Sequence, residues 1–147
     1  MDNIITILIP TYNEEQYIER CIESIFEFEL PHKCKTEIFV IDGGSTDQTV
    51  NQVKKYKYTN LKLLHNKKKT QSAALNIGIK QSNGNWILRL DAHSIYPVNY
   101  LILCLETALK TKADNVGGLV IAKPSGPNYQ AHIVQALTTH KFGVGNS

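Results

Sequence analysis

Short β-rich apolar runs alternate with segments of helical character along this chain, and no other feature of the sequence restricts the fold as strongly. Five runs predict strands, at 4–9, 37–42, 61–65, 86–90 and 115–122. Five segments predict helices, at 14–29, 47–56, 70–79, 98–111 and 128–139. Strands that alternate with helices favour a mostly parallel sheet, with helices on both faces and right-handed crossovers. The sequence therefore predicts an α/β fold.

Two polar residues are predicted to begin the first two helices. Asn13 and Ser45 are residue types that favour the N-cap position, and glutamines follow three residues later, at Gln16 and Gln48. This spacing is typical of a capping box, in which two side chains satisfy free N–H groups of the first helical turn. A glycine pair at 43–44 permits a tight turn with positive φ before the second helix.

Length and composition narrow the classes of protein further. A chain of 147 residues favours one domain, which we expect to span 1–147. The net charge of +3 suits a small anionic ligand and does not favour a nucleic-acid partner, which needs a clustered basic face. Three cysteines without paired spacing favour reduced thiols in a cytoplasmic protein over a disulfide framework or a zinc site. No apolar run approaches the about 20 residues of a membrane span.

Chemically unusual residues follow three of the predicted strands, at 10–12, 42–44 and 91–93. The carboxyl ends of parallel strands meet at one edge of the sheet, where open α/β sheets bind their ligands. Side chains alternate along a strand, so Asp91 and His93 are expected to point to the same side. A carboxylate and an imidazole at this spacing can hold a divalent cation. The sequence therefore predicts a binding site with aromatic, acidic and metal-binding parts.

Two common phosphate-binding motifs are missing from the loop after the first predicted strand. The loop reads PTYNEE (10–15), which is neither the G-x-G-x-x-G turn of dinucleotide-binding proteins nor a Walker loop. A cation at Asp91 and His93, helped by the lysines at 67–69, is a better way to hold a diphosphate. Opposite charges about 4 Å apart gain about 4 kcal/mol at an effective dielectric of about 20, so a divalent ion outweighs several exposed lysines. The loop therefore disfavours a dehydrogenase.

Four stretches of the chain, in order, resemble the family 2 glycosyltransferases of the GT-A fold. They read IPTYNEE (9–15), VIDGGSTDQT (40–49), ALNIGI (74–79) and LRLDAHSIYP (88–97). The variant DAHSIYP, with NVGG at 115–118 and FGVGNS at 142–147, is similar to the succinoglycan-type (ExoA-like) glucosyltransferases of bacterial polysaccharide synthesis.

This resemblance implies roles for individual residues. Asp42 would accept a hydrogen bond from the uracil ring, and Lys69 would bind the nucleotide at its phosphates. Asp91 would contact the ribose or the metal, while His93 would replace the second aspartate of the family's D-x-D motif as a metal ligand. Imidazole is a better ligand for manganese than for magnesium, which departs from the usual pattern of two aspartates. The identity of the cation, manganese or magnesium, is therefore left open. The uracil and ribose pocket would be lined by Pro10, Thr11, Tyr12 and Glu14.

The resemblance also implies the reaction, which is metal-assisted, inverting transfer of a sugar from a UDP-sugar. The sugar would be glucose and the acceptor a polysaccharide or a lipid-linked sugar, at the cytoplasmic face of a membrane. Such a transfer needs a general base, usually a carboxylate, yet no Asp or Glu follows Asp114. In the resembling family the base lies downstream of the glycine-rich segment. We therefore expect Ser147 not to be the natural C terminus, and any membrane association to come from regions beyond this chain.

Two other functions remain open from the residues alone. A non-catalytic nucleotide-binding module could have the same fold, and the natural length of the protein would distinguish it. A nucleotidyltransferase would also use a metal, but it is expected to have a glycine- and arginine-rich loop after the first strand, unlike PTYNEE.

Overall fold

The predicted alternation of strands and helices is present in the structure, a computed structural model that describes residues 3–118, 121–123 and 129–139. The chain divides into two compact units, 1–106 and 107–147. The elements are β1 (Asn3–Thr11), α1 (Ile18–Phe26), β2 (Cys34–Asp42), α2 (Thr49–Lys55), β3 (Leu61–His65), α3 (Gln71–Gln81), β4 (Trp86–Arg89), α4 (Tyr100–Thr111) and α5 (Tyr129–Thr139).

The four strands form one parallel sheet in the order β3-β2-β1-β4, which confirms the predicted α/β class. The chain passes from β1 to β2 to β3 in one direction across the sheet, and β4 then pairs with the other side of β1. The direction of winding therefore reverses between β1 and β4. In open α/β sheets, ligands bind at the carboxyl ends of the strands at this point of reversal.

Alternating side chains of the sheet build one apolar layer on each face. On one face, Ile5, Ile7 and Ile9 of β1 belong to the larger cluster, together with a stripe of α1 residues: Ile18, Cys21, Ile22 and Ile25. On the other face, Leu8 packs with residues of β2 and α3. A Cβ atom on Gly78 would lie 2.5 Å from Leu8 Cδ2, so the close approach of α3 to the sheet requires a glycine there.

The predicted caps of the first two helices are wrong. The N-cap residues of α1 and α2 are Tyr17 and Gln48, and neither makes a side-chain capping hydrogen bond. Asn13 lies outside α1 with a left-handed φ of 54°, and Ser45 donates its hydroxyl to the carboxylate of Asp42. Local spacing matched the capping pattern, but both residues make their hydrogen bonds with loops rather than with their own helices.

The second unit, 107–147, contains the last residues of α4 and the helix α5, which confirms the helix predicted at 128–139. The fifth predicted strand is not formed at 115–118 or 121–123; residues 119–120 and the tail at 142–147 lie outside the described residues. The glycines at 117–118 remove side chains that a strand would pack, and a Cβ on Gly117 would meet no atom within 4 Å, so no close backbone approach occurs there. Among the helices described, none has the length and apolar character that a membrane span requires.

Candidate functional site

A cavity of about 200 Å³ lies at the carboxyl edge of the sheet, where the winding reverses. The end of β1 and the segments that follow β1 and β4 form part of its wall. Ile41 of β2, the loops after β2 and β3, and the first turn of α3 form the rest. The structure thus brings most of the predicted site residues together around one space. Seven of the eight line the cavity: Pro10, Thr11, Tyr12, Glu14, Lys69, Asp91 and His93.

Asp42 is the predicted site residue that does not line the cavity. It is 5% exposed, and its carboxylate accepts hydrogen bonds from the backbone N–H groups of Gly44 (2.8 Å) and Ser45 (3.2 Å) and from the Ser45 hydroxyl (2.5 Å). Gly44 has a φ of 85°, which glycine adopts without strain. In this structure Asp42 shapes the turn beside the cavity, and its contact with a ligand stays a prediction.

One end of the cavity is formed by acidic residues and a histidine, and it includes the segment directly after β4. Asp91 Oδ1 lies 2.6 Å from Arg89 Nη2, and His93 Nδ1 lies 2.9 Å from Glu14 Oε1. The Glu14 side chain is 19% exposed, whereas that of His93 is 59% exposed. Sequence reasoning missed both contacts. The first was recoverable, because a period of two places Arg89 and Asp91 on the same side of an extended chain.

The side chains at this end of the cavity could provide only some of the ligands of a divalent cation. Within the described residues, no three His, Cys, Asp or Glu side chains are grouped closely enough to hold a metal ion. Asp91 and His93 line the same cavity and offer one carboxylate and one imidazole, a set that suits manganese and related ions. Further ligands would have to come from a bound nucleotide or from water.

The peptide of Asp91 is held by groups that the sequence did not indicate. The Tyr96 hydroxyl accepts a hydrogen bond from Asp91 N–H (2.8 Å) and donates one to Asp91 C=O (3.3 Å), and Cys21 Sγ lies 3.6 Å from the same carbonyl oxygen. Burial raises the pKa of Tyr96 to about 12. Burial, with the nearby charges of Glu14 and Asp91, raises the pKa of Cys21 to about 12. Both groups therefore keep their protons at neutral pH, and Cys21 is a buried donor rather than a nucleophile.

The opposite end of the cavity carries amide and cationic groups. Asn66 is 2% exposed, and its amide donates to Thr70 C=O (2.9 Å) while its backbone N–H donates to Asp42 C=O (2.7 Å). This turn holds Lys69 at a left-handed φ of 58°, an uncommon conformation for lysine that is often found at binding sites. Gln71, the first residue of α3, also lines this end. Three strand spacings of about 4.8 Å separate β3 from β4 in the sheet, so the two ends are well apart.

Two loops that border the cavity are joined by reciprocal hydrogen bonds. The side chain of Asn13 accepts from Thr46 N–H (2.9 Å), and Glu15 accepts from Gln48 N–H (2.8 Å). In the other direction, Glu15 N–H donates to the carboxylate of Asp47 (3.1 Å). The loop after β1 thus satisfies N–H groups ahead of α2, and the loop after β2 does the same in return. Other residues of the same two loops line this side of the cavity: Tyr12, Glu14 and Gly43.

Comparison with known sequences identifies relatives along nearly the whole chain. The profile of Glycosyl transferase family 2 matches residues 6–143. A dolichyl N-acetyl-alpha-D-glucosaminyl phosphate 3-beta-D-2,3-diacetamido-2,3-dideoxy-beta-D-glucuronosyltransferase of Methanococcus voltae is 34% identical over 99% of the chain and 47% of its own length. The succinoglycan biosynthesis protein ExoA of Rhizobium meliloti is 34% identical over 75% of the chain and 34% of its own length. The chain spans about half or less of the length of these relatives.

Solved structures give the same result for the fold. Residues 1–349 of S. aureus TarS, in complex with UDP, superpose with a TM-score of 0.64 and 26% identity, over 84% of this chain and 39% of that one. The mannosyltransferase PcManGT from Pyrobaculum calidifontis, in complex with GDP-Man and Mn²⁺, superposes with a TM-score of 0.62 and 30% identity, over 75% of this chain and 32% of that one.

Proposed function

Since this chain belongs to glycosyl transferase family 2 and has the GT-A fold, we propose that it binds a UDP-sugar and forms the donor-binding part of an inverting glycosyltransferase. The observation that carries the proposal is the cavity at the reversal of the sheet, lined by seven residues chosen from sequence alone. UDP is favoured over GDP because TarS holds UDP in its structure, although PcManGT holds GDP-Man.

The two ends of the cavity are assigned to the two ends of the donor. The nucleoside is assigned to the end near Tyr12 and Gln71, where an aromatic ring and an amide group can stack on and hydrogen-bond to a base, and Lys69 keeps its predicted contact with the phosphates. The diphosphate and the sugar extend towards Asp91 and His93. This direction puts the negative phosphates near the residues proposed to hold a cation, and it leaves the sugar at the more exposed end.

Asp91 and His93 would hold a divalent cation, manganese or magnesium, and PcManGT contains Mn²⁺ with its donor. When bound, such an ion supplies Lewis-acid neutralisation of the charge that develops on the departing diphosphate. Asp91 orients towards the cavity, and Glu14 fixes the ring of His93 through Nδ1, which leaves Nε2 as the nitrogen available for a ligand.

The acceptor of the full-length protein is proposed to be a polysaccharide or a lipid-linked sugar at the cytoplasmic face of a membrane. The names of the Methanococcus voltae and Rhizobium meliloti relatives support this class of acceptor, and glucose is the proposed sugar by similarity to the succinoglycan-type enzymes. The general base is proposed to come from a part of the full-length protein that these residues do not include, since no Asp or Glu follows Asp114.

Calorimetric titration tests the binding site. We expect UDP to bind more tightly in the presence of Mn²⁺ than in EDTA, and GDP and NAD to bind less well than UDP under both conditions. Asp91→Asn should remove the gain that Mn²⁺ gives, because it removes one of two protein ligands. Asp114→Asn, at an exposed aspartate outside the cavity, is the matched control and should keep the gain. Absence of a metal-dependent gain for every nucleoside diphosphate would overturn the site assignment.

A further inference from the structure

We propose that Tyr96 is a positioning residue for donor binding. It fixes the backbone N–H and C=O of Asp91, so that the Asp91 carboxylate faces the cavity. The inference rests on the proposed function, because it assumes that Asp91 helps to hold a divalent cation. Tyr96 itself is not among the described residues that line the cavity, so its effect on the donor passes through Asp91.

We call the two hydrogen bonds between the Tyr96 hydroxyl and the backbone of Asp91 the clamp. The clamp is needed because Asp91 lies just beyond the paired residues of the sheet. The last ladder contact next to it is the hydrogen bond from Leu90 N–H to Leu8 C=O, at 2.9 Å. After this point no strand of the described sheet pairs with Asp91, so its backbone N–H and C=O must find other partners. A single hydroxyl can accept one hydrogen bond and donate another, and Tyr96 Oη does both, at 2.8 and 3.3 Å. Ser94 N–H also donates to Asp91 C=O (3.2 Å), whereas Tyr96 is the partner of Asp91 N–H.

Tyr96 is in turn held in place from two directions. Its ring packs edge-on against Phe28, with centroids 6.4 Å apart, and at a tilt against Tyr100, with centroids 5.2 Å apart. Its backbone N–H donates to the Ser24 hydroxyl (3.3 Å), which donates to Cys21 C=O (2.8 Å) within α1. Helix α1 therefore supports the clamp, and these contacts restrict the position of the Tyr96 hydroxyl.

Such a clamp matters more for a cation site than for general stability. Asp91 is 41% exposed at its side chain, so packing alone does not fix the direction of its carboxylate. Ligand groups must be held to within about 0.5 Å of their working positions, and removal of a partner that orients a ligand typically costs about 10- to 100-fold in metal affinity. A Tyr96 variant should thus affect metal-dependent binding far more than metal-free binding.

The test compares Tyr96→Phe with Tyr56→Phe as a matched control. Tyr56 lies at the C-terminal end of α2, and its hydroxyl also donates to a backbone carbonyl, that of Glu19. The affinity of each protein for UDP is measured in EDTA and in Mn²⁺, together with its melting temperature. We expect Tyr96→Phe to lower the Mn²⁺-dependent gain about tenfold or more and to leave the EDTA affinity within about twofold. Tyr56→Phe should keep the whole gain.

The outcomes separate this inference from the proposed function. If the wild-type protein shows no Mn²⁺-dependent gain, the proposed metal site fails and this inference fails with it. If the wild type shows the gain and Tyr96→Phe keeps it within about twofold, only the inference is overturned. Amide hydrogen exchange of the wild-type protein is a second test, which does not depend on whether the variant folds. The Asp91 amide should exchange more slowly than the His93 amide, and equal exchange rates would contradict the clamp.

Discussion

At the scale of single residues, Asp91 is held both at its backbone and at its carboxylate. Its peptide is bonded to the Tyr96 hydroxyl, while its carboxylate lies 2.6 Å from the guanidinium of Arg89. The two contacts act differently on a bound cation. The contact with Tyr96 can persist when a cation is present, whereas the positive charge of Arg89 competes with any cation for the same carboxylate.

Removal of Arg89 should therefore strengthen cation binding. An exposed ion pair contributes about 0–1 kcal/mol, so we expect Arg89→Gln to raise the affinity of the UDP-bound protein for Mn²⁺ by up to about fivefold. Electron paramagnetic resonance of free Mn²⁺ measures this directly. Arg20→Gln is a matched control, because Arg20 is an exposed arginine on α1 that does not line the cavity. A loss of affinity in Arg89→Gln would instead indicate that the guanidinium binds the diphosphate.

At the scale of helices and strands, a polar cluster joins three elements near the start of the sheet. The carboxylate of Glu37 on β2 accepts from the Thr6 hydroxyl on β1 (2.6 Å) and from Asn83 N–H (2.6 Å) in the loop before β4. The side-chain amide of Asn83 donates to the same carboxylate (3.1 Å). These contacts tie β1, β2 and the approach to β4 together at the edge opposite the cavity.

The cluster predicts an acid-dependent loss of stability. Burial alone would raise the pKa of Glu37, but hydrogen bonds from Thr6 and Asn83, with the charge of Lys62, hold it below the ordinary value of 4.5. A lowered pKa stabilises the folded protein above the unfolded pKa, and this contribution is lost as pH falls through the folded pKa. Glu37→Gln should lower the free energy of unfolding at pH 7 and flatten its decline below pH 4.5, as measured by urea denaturation.

Glu106→Gln serves as the control for that experiment, since Glu106 is an exposed carboxylate on α4. It should change neither the stability at pH 7 nor its acid dependence. An acid profile of Glu37→Gln that parallels the wild type would contradict the assigned role of Glu37.

The contact between α3 and the sheet makes a second prediction at this scale. A Cβ on Gly78 would lie 2.5 Å from Leu8 Cδ2 and 2.9 Å from Ile41 Cδ1, and both side chains are fully buried. Overpacking costs about 1–3 kcal/mol, against about 1 kcal/mol gained from the helix propensity of alanine. Gly78→Ala should therefore lower the melting temperature. Gly117→Ala, with no atom within 4 Å, should leave it unchanged.

At the scale of the whole molecule, the chain has the cavity proposed to bind the donor but spans about half or less of the length of its relatives. We expect the 147-residue protein to bind UDP with Mn²⁺ and to transfer no sugar to added acceptors, because the proposed general base is outside it. Product analysis with a labelled UDP-sugar measures this, with a longer form of the protein as the positive control. Efficient transfer by the 147-residue chain would contradict the proposed location of the base.

The amino-acid sequence by itself determined the alternation of the first four strands with helices, the family and seven of the residues that line the cavity. These features depend on hydrophobic periodicity and on short motifs at the ends of strands, which act over a few neighbouring residues. The strand predicted at 61–65 follows from such local signals, and the structure agrees with it.

Only the tertiary structure decided how the polar residues around the cavity are paired. Asn13 and Ser45 matched a capping pattern, yet Asn13 N–H donates to the Ser45 hydroxyl across 32 residues of sequence, because adjacent parallel strands bring their two loops together. Tyr96 reaches the peptide of Asp91 because its ring is fixed by packing, a contact that no spacing rule contains. Long-range hydrogen bonds of this kind depend on where the sheet ends, so they become visible only once the sheet has formed.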